Sequence, residues 1–404
     1  MDFTLSNEHL VAQEATRAFA RDEVAPLIKE ADRKREPIPW IFERMAALGI
    51  LGICFPVRYG GRGLDYLSLG LACEELEAVD TSLRVVLSVH TGLCCATLLQ
   101  WGTEEQKQRL LRPLASGEKI GCGAFSEPGC GSDVAAIQTS AQREGDVYIL
   151  NGEKTWISLV TKADFALVTV RTDPDAAKPT AGLSSFIVDL NAPGVERGEL
   201  HGKMGVRAGS TGWIRFRDVR VPLDDRIGQE GEGFKVTMTA FDHGRYTVAA
   251  GATGIIRAAR DASVEYALRR QAFGKPIGEH QLVQEKIARM AQDYEIARAL
   301  YFKVGWLKNT GQRCTLETSY AKKFASEASF SAASEALQIH GAYGFSDECN
   351  VERYLRNARG ALIYEGSSEI QTLIQAGYAL GLRTDKTLRR NLPAYDEAYW
   401  LFSA

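Results

Sequence analysis

Proline divides this chain into unlike parts. Ten of its twelve prolines lie at or before Pro222, and between residues 223 and 392 only Pro276 occurs. A proline inside a helix removes a backbone donor and clashes with the turn before it. The late, proline-poor region is rich in Ala, Glu, Arg, Leu and Gln, so it predicts long helices. Residues 281–308 carry apolar side chains at three- and four-residue spacing, and 250–270 and 318–339 do the same. Residues 1 to about 118 also read as helical. Thr103-Glu104-Glu105-Gln106 is a capping box, and Gly60-Gly61-Arg62-Gly63 is a turn between helices.

The middle differs. Asp146 to Ile157 places β-prone runs around Asn151-Gly152, which predicts a hairpin turning there. Phe165–Val170, Ser185–Val188 and Trp213–Val221 are further strands, the last alternating apolar and polar. The order is helical domain 1–118, β domain 119–228, helical domain 229–383 and a tail 384–404, an α+β chain without internal repeats. The tail is polar, then aromatic at Tyr395, Tyr399 and Trp400, and is expected to fray or dock on a neighbour.

Composition narrows the function classes. With 45% hydrophobic and 25% charged residues the chain is of globular type. A net charge of -3 gives no reason to expect nucleic acid or an anionic membrane as partner. No apolar run reads as long enough to span a bilayer, and the start MDFTLSNEHL lacks signal-peptide regions, so a cytoplasmic location is expected. The eight cysteines form no CxxC pair and the six histidines no HxxxH pair, which predicts reduced thiols and no metal. There is no P-loop and no GxSxG. Gly121-Cys122-Gly123 is the nearest approach to a dinucleotide fingerprint and lacks its third glycine.

The chemistry concentrates at Tyr364-Glu365-Gly366-Ser367-Ser368-Glu369-Ile370. Glu365 is a lone carboxylate between a ring and a glycine, after the apolar Ala361-Leu362-Ile363. Partial desolvation raises a carboxyl pKa and suits it to take a proton from carbon. The alternative is a carboxylate that charges the first turn of a helix.

Five segments together resemble the acyl-CoA dehydrogenase family. They are Ser126-Glu127-Pro128-Gly129-Cys130-Gly131-Ser132-Asp133, Lys154-Thr155-Trp156-Ile157-Ser158, Arg269 to Ile277, Gln338-Ile339-His340-Gly341-Ala342-Tyr343-Gly344, and Tyr364-Glu365-Gly366-Ser367. They occur in the family's order over nearly the whole chain. The resemblance implies a helical domain, an antiparallel β-barrel or sandwich and a four-helix bundle. It implies FAD as cofactor, an acyl-CoA substrate, electron-transferring flavoprotein as acceptor, and a homotetramer or dimer. The matching base is Glu365, whose N–H would help hold the thioester oxygen. Phe125, Ser126 and Ser132 match the flavin loop, Trp156 and Ser158 the ring shield and its N5 neighbour, and Ser367 a flavin contact. Arg270, Phe273, Gln281, Gln338 and Gly341 match positions that reach the adenosine half of FAD on a neighbouring subunit. Asp242 and Arg245 match the helix that touches coenzyme A, and Tyr364 and Gly366 flank the substrate. Isovaleryl-type members carry their catalytic glutamate where this chain has Gly244, so the base belongs at Glu365.

Glu77, Arg84 and Ser88 bear on the acyl group. Arg84 and Ser88 share a helix face, whereas Asp80-Thr81-Ser82 reads as a cap that separates Glu77 from them. Arg84 is followed by Val85-Val86-Leu87, an apolar setting that demands a counter-charge. The trio resembles glutaryl-CoA dehydrogenases, in which such residues bind a distal carboxylate. The expected substrate is a dicarboxylyl-CoA: glutaryl-CoA or a substituted succinyl-CoA such as benzylsuccinyl- or methylsuccinyl-CoA. The alternatives are a short-chain or branched monocarboxylic acyl-CoA, an acyl-CoA oxidase on the same fold, and a silent binding subunit. A structural Glu77–Arg84 pair is the plain reading of the charges.

Overall fold

Helices build the first part of the computed structural model, which describes residues 4–401; among them are α1 (Asn7–Ala18), α2 (Ala25–Lys34), α3 (Ile41–Ala47), α4 (Tyr66–Val79) and α5 (Thr81–Trp101). Side-chain oxygens of Ser6 and Asp65 cap α1 and α4. The Thr103–Gln106 capping box forms as read. Helix α5 corrects one expectation, because its 21 residues are long and apolar enough to cross a bilayer. All of them are buried inside the protein, so the apolar surface serves the core.

The sheet has eight strands: β1 (Gly121–Ala124), β2 (Ser140–Glu144), β3 (Val147–Ser158), β4 (Phe165–Arg171), β5 (Leu183–Asp189), β6 (Val195–Glu199), β7 (Thr211–Pro222) and β8 (Arg226–Ile227). They run in the order β6-β7-β3-β2-β4-β5-β8, with β1 on β4. The sheet is mixed rather than wholly antiparallel. β1 lies parallel to β4, and Ser140 of β2 also meets Arg171 of β4 in parallel, because the chain crosses over before β4 returns.

Asn151-Gly152 is not the hairpin turn. Gly145-Asp146, with Gly145 at φ 63, turns β2 into β3, and Asn151-Gly152 lies inside β3 at a bulge against β7. The Asn151 amide donates to Asp218 Oδ1 and its oxygen accepts the Asp218 N–H, both at 2.9 Å. These bonds across the sheet outweigh the local turn preference. A second bulge, at Thr155/Ile157, matters for the site below.

The proline-poor half forms α6 (Gly233–Arg269), α7 (Gln281–Asn309), α8 (Thr315–His340), α9 (Val351–Ala361) and α10 (Ser368–Ala379). Helix α6 is the axis, packed on α4, α5, α7 and α8. Close approach needs small residues. A Cβ on Gly254 would lie 2.1 Å from the Glu74 carbonyl oxygen, and one on Gly251 1.9 Å from Glu77 Oε2.

The described residues of the tail beyond Arg383 are held by their own chain rather than left loose. The tail packs back against both the first part and the helical third part. Arg389 pairs with Glu232 at 2.9 Å, the Arg58 guanidinium lies 3.7 Å over the Tyr399 ring, and buried Trp400 donates to the Cys54 carbonyl at 3.2 Å. Aromatic burial there compensates the ordering of an irregular segment.

Candidate active site

Between α9 and α10 the chain reverses in six residues. The N–H groups of Ile363 and Tyr364 donate to the Gly360 carbonyl at 2.9 and 3.1 Å, and the Ser368 N–H donates to Leu362 at 3.0 Å. Ser367 caps α10, and Glu369 occupies its first turn. Glu365 therefore lies outside that turn, and the helix-start reading falls. Its backbone is left-handed at φ 58, followed by Gly366 at φ 83. For a glutamate this costs about 1–3 kcal/mol and persists only where the surroundings enforce it. Three helices do so. Arg245 Nε of α6 donates to the Glu365 carbonyl at 2.9 Å, Lys322 Nζ of α8 donates to the Gly366 carbonyl at 2.8 Å, and Gln371 Nε2 of α10 donates to both at 3.3 and 3.0 Å.

The carboxylate itself is sheltered. Glu365 Oε2 has no hydrogen-bond partner and no contact with solvent, and the Glu365 N–H donates to no group among the described residues. Burial pushes the carboxyl pKa up to about 7, while Arg245, Arg84 and Lys322 pull it the other way. A base that titrates there is half ionised at neutral pH and more basic than a solvated carboxylate. Gly244 of α6 makes the space: a Cβ there would stand 2.6 Å from Glu365 Oε1.

Tyr364 joins this base to the charged group on α4 and α5. Arg84, 1% exposed, donates from Nη2 to the Tyr364 hydroxyl at 2.6 Å, from Nη1 to Ser88 Oγ at 2.9 Å, from Nε to Glu77 Oε2 at 2.5 Å and from Nη2 to Glu77 Oε1 at 3.3 Å. The helix does break at Asp80, whose side chain caps α5 through the Ser82 N–H. That break turns Glu77 back toward Arg84. Thr81 Oγ1 and Thr247 Oγ1 extend the network through Glu77 (2.8 Å) and Ser88 (2.6 Å).

Arg245, matched above to the helix that touches coenzyme A, supports the base turn. Its guanidinium is buried under the base turn and paired with Asp242 at 3.3 Å.

A second group lies on the sheet. The β3 bulge turns Trp156 outward, at φ 60 and 64% exposed, with Ser158 two residues on. The loop carrying Ser126 and exposed Ser132 is fastened to β3. Ser126 O accepts the Thr155 N–H at 2.9 Å, and buried Lys154 donates to Glu127 Oε1 at 2.7 Å and the Phe125 carbonyl at 3.1 Å. Phe125 meets Phe241 edge to face at 5.1 Å, and Phe241 lies under the Arg245 guanidinium. The strip therefore adjoins the base.

Arg270, Phe273, Gln281, Gln338 and Gly341 are exposed on the hairpin after α6, the start of α7 and the end of α8. Among the described residues they share no hydrogen bond or ring contact with the other two groups. Phe273 is 95% exposed at φ 52.

Sequence reasoning passed over Lys322, Gln371, Gly251 and the roles of Glu127 and Lys154. One signal was available: Lys322 shares helical spacing with the buried Thr318, Ala325 and Ser329, an odd place for a charge.

Comparison with known proteins shows the family. Family models described as the acyl-CoA dehydrogenase N-terminal, middle and C-terminal domains match residues 6–118, 122–219 and 231–379. The chain is 39% identical over 376 residues to the mitochondrial short-chain specific acyl-CoA dehydrogenase of Mus musculus, covering 93% of this chain and 91% of the relative. The structure of butyryl-CoA dehydrogenase from Megasphaera elsdenii is similar at TM-score 0.92 and 37% identity, covering 94% of this chain and 100% of that one. A glutaryl-coenzyme A dehydrogenase in its glutaryl-CoA complex is similar at TM-score 0.90 and 36% identity, covering 95% and 98%.

Proposed function

The chain belongs to the acyl-CoA dehydrogenase family, and from that premise we propose that Glu365 takes the α-proton of a dicarboxylyl-CoA thioester. Membership makes it an FAD-dependent oxidoreductase of acyl-CoA. FAD, when bound, supplies the acceptor for the β-hydride. The residues present fit such a group: Ser126, Ser132 and Ser158 offer hydroxyls, Trp156 an outward-turned ring, and Gly129 and Gly131 have nothing within 4 Å of a Cβ position. Glu365 holds its Oε2 dry and unpaired, and its free N–H is a donor for the thioester oxygen as enolate charge develops. Gly244→Ala, which crowds that carboxylate, is expected to slow flavin reduction about 100-fold with FAD retained, measured by anaerobic stopped flow.

Arg84 carries the choice of acyl group. A sheltered guanidinium beside Tyr364 keeps one of its five N–H donors, on Nη1, beyond the four bonds named above. A distal substrate carboxylate would take that donor, beside a Ser88 hydroxyl that already accepts from Nη1 and bonds to Thr247. Glutaryl-CoA and substituted succinyl-CoA thioesters such as benzylsuccinyl- or methylsuccinyl-CoA have such a group. The second reading, a short-chain monocarboxylic acyl-CoA, is favoured by Glu77, which already neutralises Arg84, and by likeness to a short-chain relative. Anaerobic flavin bleaching with glutaryl-, benzylsuccinyl-, methylsuccinyl-, butyryl- and isobutyryl-CoA decides between them. Fastest bleaching by a dicarboxylyl thioester is expected, and fastest bleaching by butyryl-CoA would assign the second reading.

The exposed group at Arg270, Phe273, Gln281, Gln338 and Gly341 suits the adenosine half of FAD from a neighbouring subunit, hence a homotetramer or dimer. Electron-transferring flavoprotein is the proposed electron acceptor. A high peroxide yield in air would instead indicate an oxidase.

A further inference from the structure

We propose that Lys322 is a positioning residue for Glu365: from α8 it anchors the left-handed turn that carries the base and sets a positive charge against its carboxylate. The catalytic meaning of this rests on Glu365 being the base. The geometry is a convergence of donors on two consecutive carbonyls. Lys322 Nζ takes that of Gly366 at 2.8 Å, Arg245 takes that of Glu365, and Gln371 bridges both. Lys322 has no exposed surface, and none of the ion pairs among the described residues includes it. A buried ammonium without a bonded carboxylate is costly, and a glutamine can hold a carbonyl at much lower cost, as Gln371 does. What the ammonium adds is charge.

The groups that face Lys322 are Arg245 of α6, Arg84 of α5, Glu365 of the turn, Glu327 on α8 and Glu369 of α10. Burial, Arg245 and Arg84 draw the ammonium down to about 7, and Glu365 and Glu327 draw it up. Ionisation of Glu365 thus favours the charged lysine, and the charged lysine favours the ionised base. Loss of this cation makes the Glu365 carboxylate harder to form, so its titration moves to higher pH.

The test uses the FAD-loaded full chain and two readouts. The first is the infrared carboxyl band of protonated Glu365, identified by its loss in Glu365→Gln and followed against pH. The second is the pH dependence of flavin reduction by the best acyl-CoA of the panel above. Lys322→Met and Lys322→Gln are expected to move both midpoints upward by about one unit or more and to lower the plateau rate roughly tenfold, whereas Lys322→Arg returns the midpoints toward the parent value. If Lys322→Met does not fold, Lys322→Gln, which keeps a donor for Gly366, carries the same expectation. Unmoved midpoints in a folded, FAD-containing variant without the charge would overturn the proposal, whatever its rate. The infrared midpoint reports on Lys322 even if Glu365→Gln retains fast reduction, so failure of the base assignment and failure of this proposal are distinguishable.

Discussion

Glu365→Gln is expected to retain FAD and lose flavin reduction by up to about 10⁴-fold, the upper range for removal of a positioned base. Glutamine keeps the size, the turn and the N–H but has no lone pair basic enough for the α-proton. Anaerobic stopped flow with the preferred acyl-CoA measures it, and fast reduction in the variant would end the base assignment. The pH dependence follows from the same burial. The carboxyl group titrates near 7, and its protonated form cannot accept a proton, so the parent's rate falls as pH drops through 7. The variant's residual rate should lack that acid limb. Stability carries the opposite sign. The folded chain holds this proton up to about 7, whereas an unfolded glutamate releases it near 4.5. The folded state binds more protons across that window, so its stability falls as pH rises through it. Glutamine removes this loss, and the variant should melt above the parent at alkaline pH.

Arg84→Ala is expected to act on stability and on substrate choice together. Glu77 would be left buried, with the Thr81 hydroxyl at 2.8 Å in place of a guanidinium. Breaking a buried pair in this way costs about 3–5 kcal/mol, readable by denaturant unfolding. The double variant Glu77→Gln/Arg84→Met removes both charges and should recover most of that loss. Substrate choice provides a separate measure: kcat/KM for a dicarboxylyl-CoA should fall roughly 100-fold or more beyond the fall for butyryl-CoA, because only the former loses a charged partner. Equal falls would make the Glu77–Arg84 pair structural alone.

The proline distribution and three- to four-residue periodicity were enough to read α7, α8 and the second half of α6, because helix formation answers to local spacing. The Asp80 cap was legible for the same reason. Asn151-Gly152 misled because a turn and a bulge share that chemistry, and only the register of β3 on β7 distinguishes them. Residues 81–101 misled in another way: their apolar length was underestimated, and it is the surrounding helices and sheet that bury it.

At the site, sequence by itself determined the cast: one carboxylate before a glycine, an arginine in an apolar run, and five family motifs in order. The tertiary structure decided their chemistry. A carboxyl group becomes a base through what surrounds it, and here those surroundings come from α5, α6, α8 and α10, far apart in the chain. Desolvation and charge act through space, so neither the left-handed backbone of Glu365 nor the lysine beneath it could be read along the sequence.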